Sequence, residues 1–174
     1  MNVTEFCQHC TGKWFSQRTT HAVPPGEMEA SRADLYVDSL GADDPDAAKA
    51  IAAISADPTA AVALRSRWEG VVGANPNKQN GSAIVAFVPE TDTTGEWVQQ
   101  VPGQDAIAGR YELVNGQNLT LTATTDKFTT EERWWFAGDN LRERTSIISY
   151  PDGTRIASFF SEIRLGQAQN KSDA

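Results

Sequence analysis

Glu131-Glu132-Arg133-Trp134-Trp135-Phe136-Ala137-Gly138-Asp139-Asn140-Leu141-Arg142-Glu143-Arg144-Thr145-Ser146 reads as two antiparallel strands joined through the turn Ala137-Gly138-Asp139-Asn140. Successive side chains of a strand point to opposite faces. Arg142, Arg144 and Ser146 therefore share one face, and Glu143 and Thr145 the other. The preceding strand likewise puts Glu132, Trp134 and Phe136 on one side. A face with two arginines, a hydroxyl, a carboxylate and large aromatics suits neither a dry core nor a plain solvated edge. It suits a pocket for a planar, mostly apolar ligand that bears carboxylates.

The strand-and-turn pattern continues on both sides of this pair. Thr154–Leu165 follows through Pro151-Asp152-Gly153, and Ile107–Val114 joins Leu119–Thr125 through Asn115-Gly116, a strong hairpin signal. Further back, Lys13–His21, Glu29–Leu40, Leu64–Gly70, Ser82–Val88 and Trp97–Val101 are strand-like. Pro24-Pro25-Gly26, Asn75-Pro76-Asn77, Asn80-Gly81 and the polar stretch Glu90–Glu96 break the chain between them. Helical signals are few. Residues 3–11 form a short amphipathic helix, and a second runs from about Asp44 to Ala56, with Asp43 or Asp44 as cap and Pro45 in the first turn. A further weak helical turn is expected at Thr59–Ala63. About ten strands in sequence, joined by short turns, predict an all-β, antiparallel up-and-down barrel. A closed barrel of this size can enclose one small ligand. Residues 1–165 are expected to form one domain, and 166–174 a flexible polar tail.

Composition narrows the function. The chain of 174 residues carries a net charge of −8, which argues against general binding to nucleic acid or anionic membranes. No apolar run approaches a bilayer span, and no basic stretch precedes an apolar signal core. A soluble protein without membrane insertion is expected. Cys7 and Cys10 are its only cysteines, spaced as C-x-x-C around His9. Val3, Phe6, Cys7 and Cys10 also follow the i, i+3, i+4, i+7 stripe of a buried helix face. That reading predicts packing rather than redox or metal chemistry, and no metal site is assigned. The absence of G-x-S-x-G and H-E-x-x-H argues against hydrolase or zincin chemistry.

Taken together, Gly12–His21, Glu131-Glu132-Arg133 with Trp135-Phe136, Asn140-Leu141-Arg142 with Arg144-Thr145-Ser146, and Ala157-Ser158-Phe159 with Ser161-Glu162-Ile163-Arg164 resemble the S/U type of phycobiliprotein lyases (CpcS/CpeS-like). Ala108-Gly109-Arg110-Tyr111 and Asp43-Asp44-Pro45 are similar to that family too. The resemblance runs in matching order from about residue 3 to residue 165 and weakens between Gly26 and Gly103. It implies a lipocalin-like or fatty-acid-binding-protein-like barrel with a helix near its mouth. It also implies an enzyme of phycobilisome assembly, in cyanobacterial cytoplasm or plastid stroma, with no permanent cofactor. Such an enzyme takes phycocyanobilin or phycoerythrobilin as transferred substrate and delivers it to a cysteine of an apo-phycobiliprotein α or β subunit, forming a thioether.

On that reading Arg142 and Arg144 pair with the bilin propionates, since guanidinium matches carboxylate bidentately. Arg18, on the face of Trp14 and Ser16, is a third cation for them. Glu132 accepts pyrrole N–H groups and is the expected proton relay. Ser146 and Ser16 hydrogen-bond a lactam oxygen or propionate, and Trp68 stacks on a pyrrole ring. Without a ligand, Arg142 and Arg144 would instead form a solvated face paired with Glu131 or Glu132. Glu162 and Arg164 alternate on the last strand and are expected to form a cross-strand ion pair. A non-catalytic carrier of a bilin or another hydrophobic ligand is the competing function. Homodimers, or a non-catalytic role beside a related lyase subunit in a heterodimer, are further possibilities.

Overall fold

The computed structural model describes residues 1–24, 26–41, 43–54 and 57–166. Ten antiparallel strands follow one another around a closed barrel. They are β1 (Gly12–Val23), β2 (Met28–Leu40), β3 (Val62–Val72), β4 (Gln79–Pro89), β5 (Thr94–Gln100), β6 (Ile107–Val114), β7 (Asn118–Thr124), β8 (Thr129–Gly138), β9 (Leu141–Ser149) and β10 (Arg155–Leu165). Each pairs with its sequence neighbours, and β1 pairs with β10 to close the ring. Closure leaves no unpaired strand edge. At the β6–β7 turn, Asn115 and Gly116 both adopt positive φ, 53° and 63°, the backbone that an Asn-Gly hairpin selects.

Two short helices complete the fold. α1 (Val3–Cys10) is started by a capping box, in which the Asn2 side chain accepts from Glu5 N and Glu5 accepts from Asn2 N. Its inner stripe of Val3, Phe6, Cys7 and Cys10 is buried in the core with Trp14, Phe87, Leu113 and Leu119. α2 (Pro45–Ala52) is capped by Asp44. It packs Ala47, Ala50 and Ile51 on the outward side chains Ala63, Ile84, Ala86, Val88 and Val98. The resemblance implied a helix at the mouth. Instead α1 plugs the end at Trp14, away from the cavity that begins at Ser16, and α2 covers the outer wall of β4 and β5. Among the described residues no helix is long and apolar enough to cross a membrane.

The strands run further than local propensity predicts. Asn80-Gly81, expected to break the chain, lies within β4 opposite Glu69 and Trp68. The polar stretch Glu90–Glu96 gives up Thr94, Gly95 and Glu96 to β5. Val62 and Ala63, expected in a helical turn, belong to β3. In each case ladder hydrogen bonds from both neighbours override weak local signals. α2 ends at Ala52 rather than Ala56, and Ser55 and Ala56 lie outside the described residues, as does the expected tail beyond Gly166. The turn between β8 and β9 tightens to Asp139-Asn140, because β8 continues through Gly138 with a bulge after Phe136.

Candidate functional site

Inward side chains of eight strands enclose a cavity of about 440 Å³, inside the range typical of small-ligand pockets. Its walls carry Ser16 and Arg18 of β1, Trp68 of β3, Glu132 and Trp134 of β8, Arg142 and Arg144 of β9, and Phe160 of β10. Six of the seven residues expected at a site thus face one space. Ser146 shares the inward face of Arg142 and Arg144, opposite Glu132 on β8 and Ser158 on β10, and stands outside the cavity lining.

The floor is organised by Glu162, which is 0% exposed. Its Oε2 accepts from Arg142 Nε at 2.5 Å, and its Oε1 from Arg144 Nη2 at 2.8 Å and Ser16 Oγ at 3.2 Å. Neither arginine is the solvated strand residue that spacing alone allowed. Arg142, at 3% exposure, lies between two indoles, with Cζ 5.0 Å from the Trp14 ring centroid and 5.9 Å from that of Trp134. Arg144 Cζ sits 4.2 Å over Phe160 and 5.6 Å over Trp134. Burial alone would push the Glu162 carboxyl up, but the two guanidiniums outweigh it and hold it down at about 2. Glu162 therefore stays ionised, as it must to compensate the buried Arg142 and the partly buried Arg144. Arg144 Nε is buried and has no hydrogen-bond partner, leaving one donor uncommitted.

Glu132 stands apart from this triad. Its Oε2 accepts from Trp134 Nε1 at 2.8 Å, which fixes the carboxylate on the cavity wall. Nearer the opening, Arg18 makes a loose contact with Glu29 at 3.7 Å and lies 5.9 Å over Phe160. Arg32 of β2 also lines the cavity and has no ion-pair partner among the described residues.

The expected cross-strand ion pair forms at Glu162, with Arg142 and Arg144 of β9, and not at Arg164. Glu162 and Arg164 both alternate inward on β10, but Arg164 turns to the plugged end. It donates to His9 O at 2.7 Å, Thr11 O at 2.6 Å and Asp139 O at 3.3 Å, with Cζ 4.1 Å over Trp14. It thereby satisfies carbonyls at the end of α1 that the helix leaves open. Cys7 and Cys10 are free, buried thiols. Burial, more than any neighbouring charge, pushes both up, which makes them poor nucleophiles.

Sequence reading missed Phe160 and Arg32 in the cavity lining and Glu162 beneath it. A signal for Phe160 and Glu162 existed. Residues equidistant from Asp152 in the β9–β10 turn pair across the hairpin, so Glu162 meets Arg142 and Phe160 meets Arg144. Arg32 gave no such signal, because it belongs to the outward set of β2 and reaches the cavity only at its rim.

The chain matches the CpeS-like protein family over residues 2–165. It is similar to the chromophore lyase CpcS/CpeS of Thermosynechococcus vestitus, 33% identical over 97% of this chain and 96% of that protein. The phycocyanobilin lyase subunit CpcS of a Picosynechococcus species is 29% identical over 92% and 85%. Among solved structures, the S-type phycobiliprotein lyase CPES from Guillardia theta superposes with a TM-score of 0.84, at 26% identity over 97% of this chain and 95% of that one.

Proposed function

This chain belongs to the CpeS-like protein family, and from that membership and the chemistry of its cavity we propose that it is a chromophore lyase, binding a linear tetrapyrrole and attaching it to a cysteine of a phycobiliprotein subunit. One observation carries the choice of ligand. Around the cavity, the guanidiniums of Arg18, Arg32, Arg142 and Arg144 face the carboxylates of Glu132 and Glu162. With Glu29 3.7 Å from Arg18, four cations stand against three anions, so the cavity keeps a positive excess in a chain whose net charge is −8. A bilin with two propionates supplies charge of the opposite sign. Its flat conjugated body suits walls made of Trp68, Trp134 and Phe160.

The reaction is an addition. The acceptor S–H adds across the ring-A ethylidene C=C, sulfur to the exocyclic carbon and hydrogen to the ring carbon, and nothing leaves. The lyase needs no nucleophile of its own, in keeping with two buried thiols. Arg144 and Arg18 hold the propionates, and Arg142, deeper and tied to Glu162, contributes charge from below. Trp68 stacks on a pyrrole ring. Ser16 offers its hydroxyl to a propionate or lactam oxygen, whereas Ser146, outside the lining, has no such part. Glu132 accepts pyrrole N–H groups and stabilises the protonated, more electrophilic bilin, acting as the proton relay. Phycocyanobilin and phycoerythrobilin are both candidates for the substrate, and α and β subunits for the acceptor.

Reconstitution tests the reading. Purified protein is mixed with either bilin and apo-phycobiliprotein subunits, and acid-denatured products are read on a gel by zinc-enhanced fluorescence. A covalent band well above the spontaneous background is expected. Bilin binding with no band for any acceptor would favour a carrier instead. In parallel, Glu132→Gln should slow transfer more than it weakens binding, because a relay acts on the reacting state.

A further inference from the structure

One wall of the cavity depends on a side chain that is absent. Trp68 on β3 faces the cavity, and its partner across the ladder on β4 is Gly81. A Cβ built on Gly81 would lie 2.4 Å from Trp68 Cζ2, 2.6 Å from Cε2 and 2.9 Å from Nε1, closer than any van der Waals contact allows. The indole is therefore laid across bare backbone, in the place where a side chain of β4 would stand. The lining agrees. Gln79 and Ala83, two residues to either side of Gly81 on the same inward face, reach the cavity, whereas Gly81 does not, being covered by the ring. Gly81 is not among the glycines with positive φ, so its backbone conformation makes no demand for glycine. The demand is space for the ring.

The indole N–H adds a second observation. Trp14, Trp97 and Trp134 each donate Nε1–H to a protein oxygen. Among the described residues, no protein acceptor faces that of Trp68. The N–H of Trp135 has no such acceptor either, but of the two only Trp68 lines the cavity.

We infer that Gly81 is a positioning and specificity-determining residue: it seats Trp68 flat against the β4 wall and so sets the width of the slot that receives a planar conjugated ligand. Any side chain at position 81 drives the indole into the volume the ligand occupies. This rests on the bilin reading above for the identity of the ligand, though not for the seating of the ring.

The test is a double-mutant cycle of Gly81→Ala and Trp68→Ala, titrated with phycocyanobilin and phycoerythrobilin by the change in bilin absorption. Gly81→Ala alone is expected to weaken binding by about tenfold, within the coupling usual for side chains in contact. In the Trp68→Ala background the same change should cost less than about twofold, because no ring remains to be displaced. Equal losses in both backgrounds, or no loss in either, would overturn the inference. If Gly81→Ala fails to fold, restoration of folding by Trp68→Ala supports it, and failure to restore overturns it. A ligand-free readout separates the two readings. The near-UV circular dichroism due to Trp68, taken as the difference from Trp68→Ala, should change in Gly81→Ala while far-UV spectra stay the same; an unchanged difference spectrum would overturn the inference. If wild type binds neither bilin, the ligand assignment fails while this measurement still decides the role of Gly81.

Discussion

Glu162 is the residue on which the floor of the cavity depends. It is the one carboxylate serving the buried Arg142, the partly buried Arg144 and a hydroxyl, and removing one partner of such a group leaves charge uncompensated. Glu162→Gln is expected to cost roughly 3–5 kcal/mol, a drop in melting temperature on the order of 10 °C for a domain of this size. Thermal unfolding followed by circular dichroism would measure it, and an unchanged transition would mean that water replaces the carboxylate. The pH dependence has a definite sign. The folded carboxyl sits at about 2 against an ordinary 4.5. Its contribution is therefore fully present above about pH 4.5 and is lost as pH falls toward 2. Unfolding free energy should decline over that window in the wild type and decline less steeply in Glu162→Gln. Alternation alone made Arg142 and Arg144 legible as an unusual pair. Their partner lies on another strand, 18 and 20 residues away, and is reached only by counting outward from the β9–β10 turn rather than along one strand.

α1 is the element whose stability is most clearly borrowed. An eight-residue helix is marginal in water, and its capping box contributes only about 1 kcal/mol. What holds it is tertiary: the buried stripe in the barrel, Trp14 Nε1 donating to Cys10 O, and Arg164 donating to His9 O and Thr11 O. Arg164→Ala should release the C-terminal end of the plug while leaving the strands paired. The two thiols report it. Both are buried in the wild type, so their reaction with an aromatic disulfide reagent should be slow, and Arg164→Ala should raise the rate by about tenfold or more through local opening. An unchanged rate would show that apolar packing alone holds α1. The helix itself, its cap region and its buried face were all readable from the apolar period. The clamp was not, since Arg164 was expected in a cross-strand ion pair rather than on the carbonyls of α1.

At the scale of the whole molecule, closure of the ring brings chemistry together from distant parts of the chain. β1 lies against β10, so Ser16 meets Glu162 across 146 residues, and the cavity acquires walls from both ends of the sequence. The barrel concentrates cations inside a chain that is acidic overall, which draws a dianionic ligand inward. Because the acceptor brings the thiol, the lyase should work without its own. A Cys7→Ala, Cys10→Ala variant is expected to retain bilin transfer in the zinc-fluorescence gel, with some loss of stability from two truncated core side chains. Loss of transfer with intact bilin binding would place one of the thiols in the reaction.

The sequence by itself determined the strand alternation, the Asn-Gly and Pro-Asp-Gly turns, the short α1 and the family, because period, turn chemistry and motif order are written along the chain. It also sorted Ser16, Arg18, Glu132, Arg142 and Arg144 onto single faces, since one face of a strand is a matter of counting by two. Only the tertiary structure decided which faces met. Pairing of β9 with β10 and of β10 with β1 put Glu162 beneath two arginines, and the register of β3 on β4 laid Trp68 over Gly81. Those contacts depend on long-range ladders, and a charge or a glycine acquires its role from what the ladder sets against it.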